Sequence, residues 1–122
     1  MQTALYVALG GAAGALGRWG LGLAAARVFG PGVPAGTWAA NLLGCFLIGL
    51  ALPSLGPGHP HRALVVTGLL GAFTTFSTYT ADTLLLWEAG RPGLAALNAV
   101  GSVAAGLAVC AVGFAIGRAV AG

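Results

Sequence analysis

Charged residues divide this chain into long uncharged stretches. Residues 1–17, 28–61, 63–81 and 92–117 carry no formal charge and are mostly apolar. Apolar stretches of about 18 residues or more are typical of transmembrane helices. The pattern therefore predicts helices that cross a membrane.

Clusters of proline and glycine separate these stretches. The clusters lie at residues 29–34, 53–60 and 90–93, and clusters of this kind end helices and form turns. They leave four predicted spans, over about residues 3–27, 36–55, 62–88 and 92–120. We therefore predict an all-α membrane protein in which residues 1–122 form a single four-helix transmembrane domain with short loops.

The composition excludes several classes of protein. Only 6% of the 122 residues are charged, whereas a soluble domain carries about 25%. The net charge of +3 comes from five scattered arginines and no lysine, so there is no basic patch to follow phosphates. The chain is not expected to be a soluble enzyme, a disordered protein or a nucleic-acid binder.

The arginines at the ends of the spans give no preferred orientation. With four alternating spans, Arg62 and Arg118 lie on one side of the membrane, and Arg27 and Arg91 lie on the other. This even split leaves the positive-inside rule without a preference. Either a weak charge bias toward one orientation is too small to see, or copies insert in both orientations and pair antiparallel. We favour this second interpretation, dual topology, because four helices are few to enclose a polar pathway.

Glycine is abundant, with 22 residues. Small residues spaced four apart mark close contacts between transmembrane helices. Gly10 with Gly14, and Gly113 with Gly117, have this spacing. The spacing predicts two tight helix contacts, either within one chain or between subunits.

The third span carries a dense hydroxyl cluster at its centre. Six of the seven residues 74–80 have a hydroxyl group, and Gly68 and Gly71 lie just before them. One or two hydroxyls can bond back to their own helix, but six indicate a hydrated or ion-lined path. A helix broken near the midplane is tolerated where it lines a cavity, and we predict such a break here.

An aromatic stripe runs through the same segment. Phe73, Phe76 and Tyr79 are spaced to share one helical face, and such a stripe usually serves in packing. Phe76 and Tyr79, however, are embedded among hydroxyls, and the edge of an aromatic ring is electropositive. Ring edges beside hydroxyl donors favour a small anion.

Few other polar side chains interrupt the spans. Asn41 offers amide donors, which serve equally well for an anion or for interhelical bonding, and Thr37 precedes it by one turn. Arg18 is costly in hydrocarbon, so it should face a cavity or an interface. Asn98 and Ser102 share one face of the last span.

The acidic residues distinguish between transport mechanisms. Asp82 and Glu88 both lie in the second half of the third span, and the other spans have no carboxylate. Proton-coupled export needs a carboxylate deep in the membrane, so passive conduction fits better. A small drug/proton exporter and a non-conducting accessory subunit are the alternatives. The exporter requires an acid in the first span, which has none.

Three segments together resemble the small bacterial fluoride channels called Fluc or CrcB. They are residues 10–18 (GGAAGALGR), 36–44 (GTWAANLLG) and 68–78 (GLLGAFTTFST), and the third is the most specific. The resemblance extends over essentially the whole chain. It implies a channel of the bacterial inner membrane that exports fluoride passively and confers fluoride resistance. It also implies an antiparallel, dual-topology homodimer with two pores.

The resemblance also assigns site residues. It implies a structural sodium ion at the dimer interface, held by the main-chain carbonyls of Gly71 and Thr74. It assigns the fluoride pathway to the matching polar and aromatic positions: Asn41, Phe76, Ser77, Thr78 and Tyr79, and with a looser match Thr37, Asp82, Ser102 and Arg18.

Two positions depart from the family pattern. The family usually has phenylalanine where this chain has Tyr79, and often a second glycine where it has Ala72. The added hydroxyl either supplies another fluoride donor or changes how the pore packs. The Ala72 methyl is expected to stiffen the helix break.

Overall fold

The computed structural model describes residues 1–122, which form helices and no β-strand. The helices are α1 (Gln2–Phe29), α2 (Ala35–Ala51), α3 (residues 63–73), α4 (Phe76–Glu88) and α5 (Pro92–Ala121). Helix α3 consists of a π-helical stretch, Ala63–Leu70, followed by the turn Gly71–Phe73. Helix α5 contains a π-helical turn, Leu97–Gly101. The predicted all-α class is confirmed.

The four predicted spans correspond to α1, α2, α3 with α4, and α5. The largest difference is at α2, which ends at Ala51 rather than near residue 55, because Pro53 cannot continue a helix. Two helical units, Ala63–Glu88 and Pro92–Ala121, are long and apolar enough to cross a membrane, and α2 is a shorter apolar helix.

The third span is broken, as predicted. Helix α3 stops at Phe73, and Thr74 and Thr75 are extended, with φ/ψ of −84°/158° and −149°/119°. Thr75 then caps α4, because its Oγ1 accepts a hydrogen bond from the Thr78 N–H at 3.2 Å. The break follows Gly71 by three residues. Gly68 is not part of it and packs instead against α1, next to the Val7 carbonyl.

The predicted glycine faces are contacts within the chain. A Cβ atom on Gly14 would lie 2.1 Å from the Leu69 carbonyl oxygen, and one on Gly113 would lie 2.3 Å from the Phe46 carbonyl oxygen. Only glycine permits such an approach between backbones. Helix α1 therefore packs in parallel along α3, and α2 packs in parallel along α5. Gly10 and Gly117 extend the same two contacts.

Candidate functional site

Asn41 joins α2 to the break in the third span. Its Nδ2 donates to the Thr75 carbonyl at 3.0 Å, and its Oδ1 accepts from the Thr75 N–H at 2.7 Å. The side chain thus replaces the helical partners that Thr75 lacks in its extended conformation. The Asn41 side chain therefore bonds α2 to the break, and its second amide hydrogen remains available to another acceptor.

At the break the main-chain carbonyls of Gly71 and Thr74 lose their usual helical donors. The Thr75 N–H is bonded to Asn41 Oδ1 and the Thr78 N–H to Thr75 Oγ1. Gly71 is exposed at the surface of the chain. Unwound carbonyls of this kind are sodium ligands in membrane proteins. The two carbonyls therefore fit the sodium ion that the sequence resemblance implies.

Two clefts open on either side of the break. The first, here called the arginine cleft, has a volume of about 520 Å³ and is lined by polar groups that include Arg18, Thr37, Thr75, Thr78 and Asp82. The second, the ring cleft, has a volume of about 440 Å³ and is lined by residues that include Asn41, Gly71, Phe76, Tyr79 and Ser102.

Thr75 lines both clefts. Its hydroxyl donates to the Thr78 hydroxyl at 3.0 Å and lies 3.4 Å from the Ser77 hydroxyl. Ser77 itself is exposed and lines neither of the two clefts. Of the hydroxyl cluster, Thr75 is thus the residue that separates the two clefts, at the point where the helix is open.

The arginine cleft holds one positive and one negative side chain. Arg18 Nε donates to the Ala72 carbonyl at 3.2 Å, so the guanidinium is attached to the break and faces the cleft. Thr37 Oγ1 donates to Asp82 Oδ2 at 2.7 Å. This bond engages the carboxylate at the cleft wall and partly offsets its charge.

The aromatic stripe separates into one half-buried ring between the helices and a pair of rings in a cleft. The Phe73 ring packs near Gly17 and Gly44 inside the chain. The rings of Phe76 and Tyr79 face the ring cleft, with centroids 5.4 Å apart and planes inclined by 36°. Phe76 is 78% exposed. Such exposure leaves its ring edge accessible from outside this chain.

Asn98 is a buried polar centre that the sequence-predicted site does not include. It is completely buried, and its Nδ2 donates to the Tyr79 carbonyl at 3.2 Å and to Thr83 Oγ1 at 2.7 Å. Its Oδ1 accepts from Trp38 Nε1 and from the Ser102 hydroxyl, the latter at 3.3 Å. The amide therefore has all its hydrogen bonds and joins α2, α4 and α5. Its only sequence signal is an amide within an apolar segment.

Comparison with known proteins gives one consistent result. The family described as "CrcB-like protein, Camphor Resistance (CrcB)" matches residues 5–114. The Fluoride-specific ion channel FluC of Paracoccus denitrificans is 43% identical over 119 residues, covering 96% of this chain and 95% of the relative. Proteins with the same name from Chloroflexus aurantiacus and Phenylobacterium zucineum are 44% and 45% identical, with 97% of both chains covered.

Proposed function

The chain belongs to the CrcB-like family, and on this basis we propose that it is a fluoride-selective channel through which fluoride leaves the cytoplasm passively. The relatives are named as ion channels, and the chain is not an enzyme. When the external medium is acidic, fluoride enters the cell as neutral HF. The HF then dissociates in the cytoplasm and leaves the fluoride anion trapped there. A channel that passes the trapped anion outward lowers its cytoplasmic concentration.

One observation carries this proposal: a cleft lined by polar side chains and a largely apolar cleft lined by aromatic rings meet at the opened helix. Thr75 lines both of them, and its neighbours are mostly neutral donors rather than fixed charges. A channel must bind its ion well enough to admit it and weakly enough to release it. Hydroxyls, one amide hydrogen and ring edges meet both conditions, whereas a row of arginines would retain the anion.

The proposed mechanism replaces water around fluoride with protein groups. The Arg18 guanidinium attracts the anion into the arginine cleft. The hydroxyl of Thr78, the free amide hydrogen of Asn41 and the edge of the Phe76 ring then substitute for hydration water. The exposed Ser77 hydroxyl lines neither cleft of a single chain, so it would join them where a second copy encloses it. Thr37, Asp82 and Ser102 shape the cleft walls. No step consumes a proton, so transport follows the fluoride gradient.

Fluoride efflux from liposomes tests the function directly. Vesicles loaded with potassium fluoride and bearing the purified protein should release fluoride when valinomycin permits potassium to follow. Chloride-loaded vesicles should release far less. If no fluoride is released but a drug gradient drives proton movement, the protein is a small drug/proton exporter and not a channel. If neither fluoride release nor proton movement occurs, the protein is a non-conducting accessory subunit.

We further propose that the channel is an antiparallel homodimer in the bacterial inner membrane. The exposed Phe76 ring and the exposed Gly71 lie on one open cleft, and a second copy would close this surface. The even arginine split supports insertion in both orientations.

Orientation can be measured with one added cysteine. Gly56→Cys places a thiol in the loop after α2, where a Cβ atom would contact nothing, in a background with Cys45→Ala and Cys110→Ala. In dual topology, about half of the molecules react with an impermeant maleimide added outside sealed cells, and all react after detergent. Labelling of all or none before detergent contradicts dual topology.

The Gly71 and Thr74 carbonyls are proposed to hold a sodium ion between the two copies. When bound, it would neutralise the partial negative charge of these carbonyls and join the subunits. Replacing sodium by N-methylglucamine during purification should reduce both dimer stability and efflux. A dimer equally stable in either cation contradicts the sodium site.

A further inference from the structure

We propose that the Tyr79 hydroxyl is a positioning group, held by the Ala99 carbonyl, which fixes the Tyr79 ring in the ring cleft and does not bind the transported fluoride. This proposal rests on the fluoride-channel function and concerns one of the two residues at which this chain departs from the family pattern. The added hydroxyl could supply another fluoride donor or change how the pore packs, and we assign it the second role.

The first observation is the hydroxyl bond itself. Tyr79 OH donates to the Ala99 carbonyl oxygen at 2.6 Å. A phenol has only one proton to donate, so a hydroxyl engaged in this way offers an anion only lone pairs, which repel it. To bind fluoride, Tyr79 would have to give up a short bond inside the protein.

The second observation is the backbone around the acceptor. Ala99 lies in the π-helical turn Leu97–Gly101 of α5. Such a turn shifts the hydrogen-bond register of a helix, and π turns of this kind often accompany functional sites. The turn brings the Ala99 carbonyl within reach of a side chain on α4.

The third observation is a second bond from the neighbouring residue. Asn98 Nδ2 donates to the main-chain carbonyl of Tyr79 at 3.2 Å, and Asn98 is completely buried. Two consecutive residues of α5 therefore hold Tyr79 at both ends, one at its backbone and one at the tip of its ring. Phe76, its partner 5.4 Å away, has no polar atom on its ring and is 78% exposed. The ring cleft thus combines one fixed ring with one less restrained ring.

A fixed ring matters for discrimination by size. If the Tyr79 ring is held in place, the pathway beside it cannot widen to admit the larger chloride ion, whereas a mobile ring could move aside. Loss of one hydrogen bond of ordinary strength changes a conformational equilibrium by about two- to tenfold. We therefore expect Tyr79→Phe to lower the fluoride-to-chloride efflux ratio by about two- to tenfold, through a faster chloride leak.

Proton NMR of the detergent-solubilised protein tests the bond independently of transport. The chain has two tyrosines, and Tyr6→Phe is the matched control because Tyr6 accepts a bond from Gln2 near the chain terminus. A slowly exchanging hydroxyl proton is expected in the wild type and in Tyr6→Phe, and it should be absent from Tyr79→Phe. Its chemical shift should not move when sodium fluoride is added.

The possible outcomes separate this proposal from the channel function. A hydroxyl proton that exchanges rapidly with water, or one that shifts saturably with fluoride, overturns the positioning role. An unchanged efflux ratio in Tyr79→Phe overturns the link to selectivity. If the wild type releases no fluoride, the channel function fails, and the hydroxyl resonance still decides whether Ala99 holds Tyr79.

Discussion

Replacing Phe76 by isoleucine is expected to reduce fluoride efflux by more than about tenfold, which corresponds to about 1.4 kcal/mol in the barrier. Phe76 is 78% exposed on the ring cleft, so its side chain contributes little to the core of the chain. Isoleucine keeps apolar bulk but has no electropositive ring edge. The efflux assay in liposomes measures the loss.

The control for Phe76→Ile is Phe114→Ile on α5. Phe114 is 41% exposed and lies outside the two clefts, so this change should leave efflux near the wild-type rate. Gel filtration should give the same elution for both variants and the wild type. Unchanged efflux in Phe76→Ile, with assembly intact, contradicts the ring-edge mechanism.

Replacing Asn41 by alanine is expected to abolish efflux and to destabilise the protein. Asn41 is the hydrogen-bond partner of both the N–H and the carbonyl of Thr75. Both bonds are only part-buried, and a hydrogen bond of ordinary strength contributes about 0.5–1.5 kcal/mol, so the loss of both should cost about 1–3 kcal/mol. Thermal unfolding in detergent measures the stability, and liposome efflux measures the activity.

Two further variants show whether the Asn41 effect comes from the helix break. Asn41→Asp keeps the acceptor for the Thr75 N–H but loses the donor to the Thr75 carbonyl, so its stability should fall between those of the wild type and Asn41→Ala. Gln2→Ala removes an amide whose partner is Tyr6 at the start of α1, and it should change neither property. If Asn41→Ala unfolds at the wild-type temperature, Asn41 does not hold the break.

Local sequence signals anticipated the break but not its position. Gly68 and Gly71 indicated a weak helix, yet α3 continues to Phe73 before the chain becomes extended at Thr74 and Thr75. The position is set by partners on other helices. Asn41 of α2 binds the Thr75 backbone, and Arg18 of α1 binds the Ala72 carbonyl. The residue pattern of the third span alone cannot predict these contacts, because they join it to other helices.

Glycine spacing predicted helix contacts and left their location open. The structure assigns the contacts of Gly14 and Gly113 to neighbours within the same chain. Spacing alone marks a face that can approach another backbone, and the backbone of a second copy would satisfy it equally well. Only the packing of α1 on α3 and of α2 on α5 distinguishes the two cases.

The sequence by itself determined the helical class, the approximate limits of the four segments and the concentration of neutral polar groups in the third. These properties follow from the local order of apolar, polar and helix-breaking residues. The tertiary structure decided which polar groups are already bonded within the chain. Asn98 is satisfied by Trp38 and Thr83, and the Tyr79 hydroxyl by Ala99. Hydrogen bonds between distant residues depend on how the helices pack, and so the distinction between a pore donor and a structural bond emerges only in three dimensions.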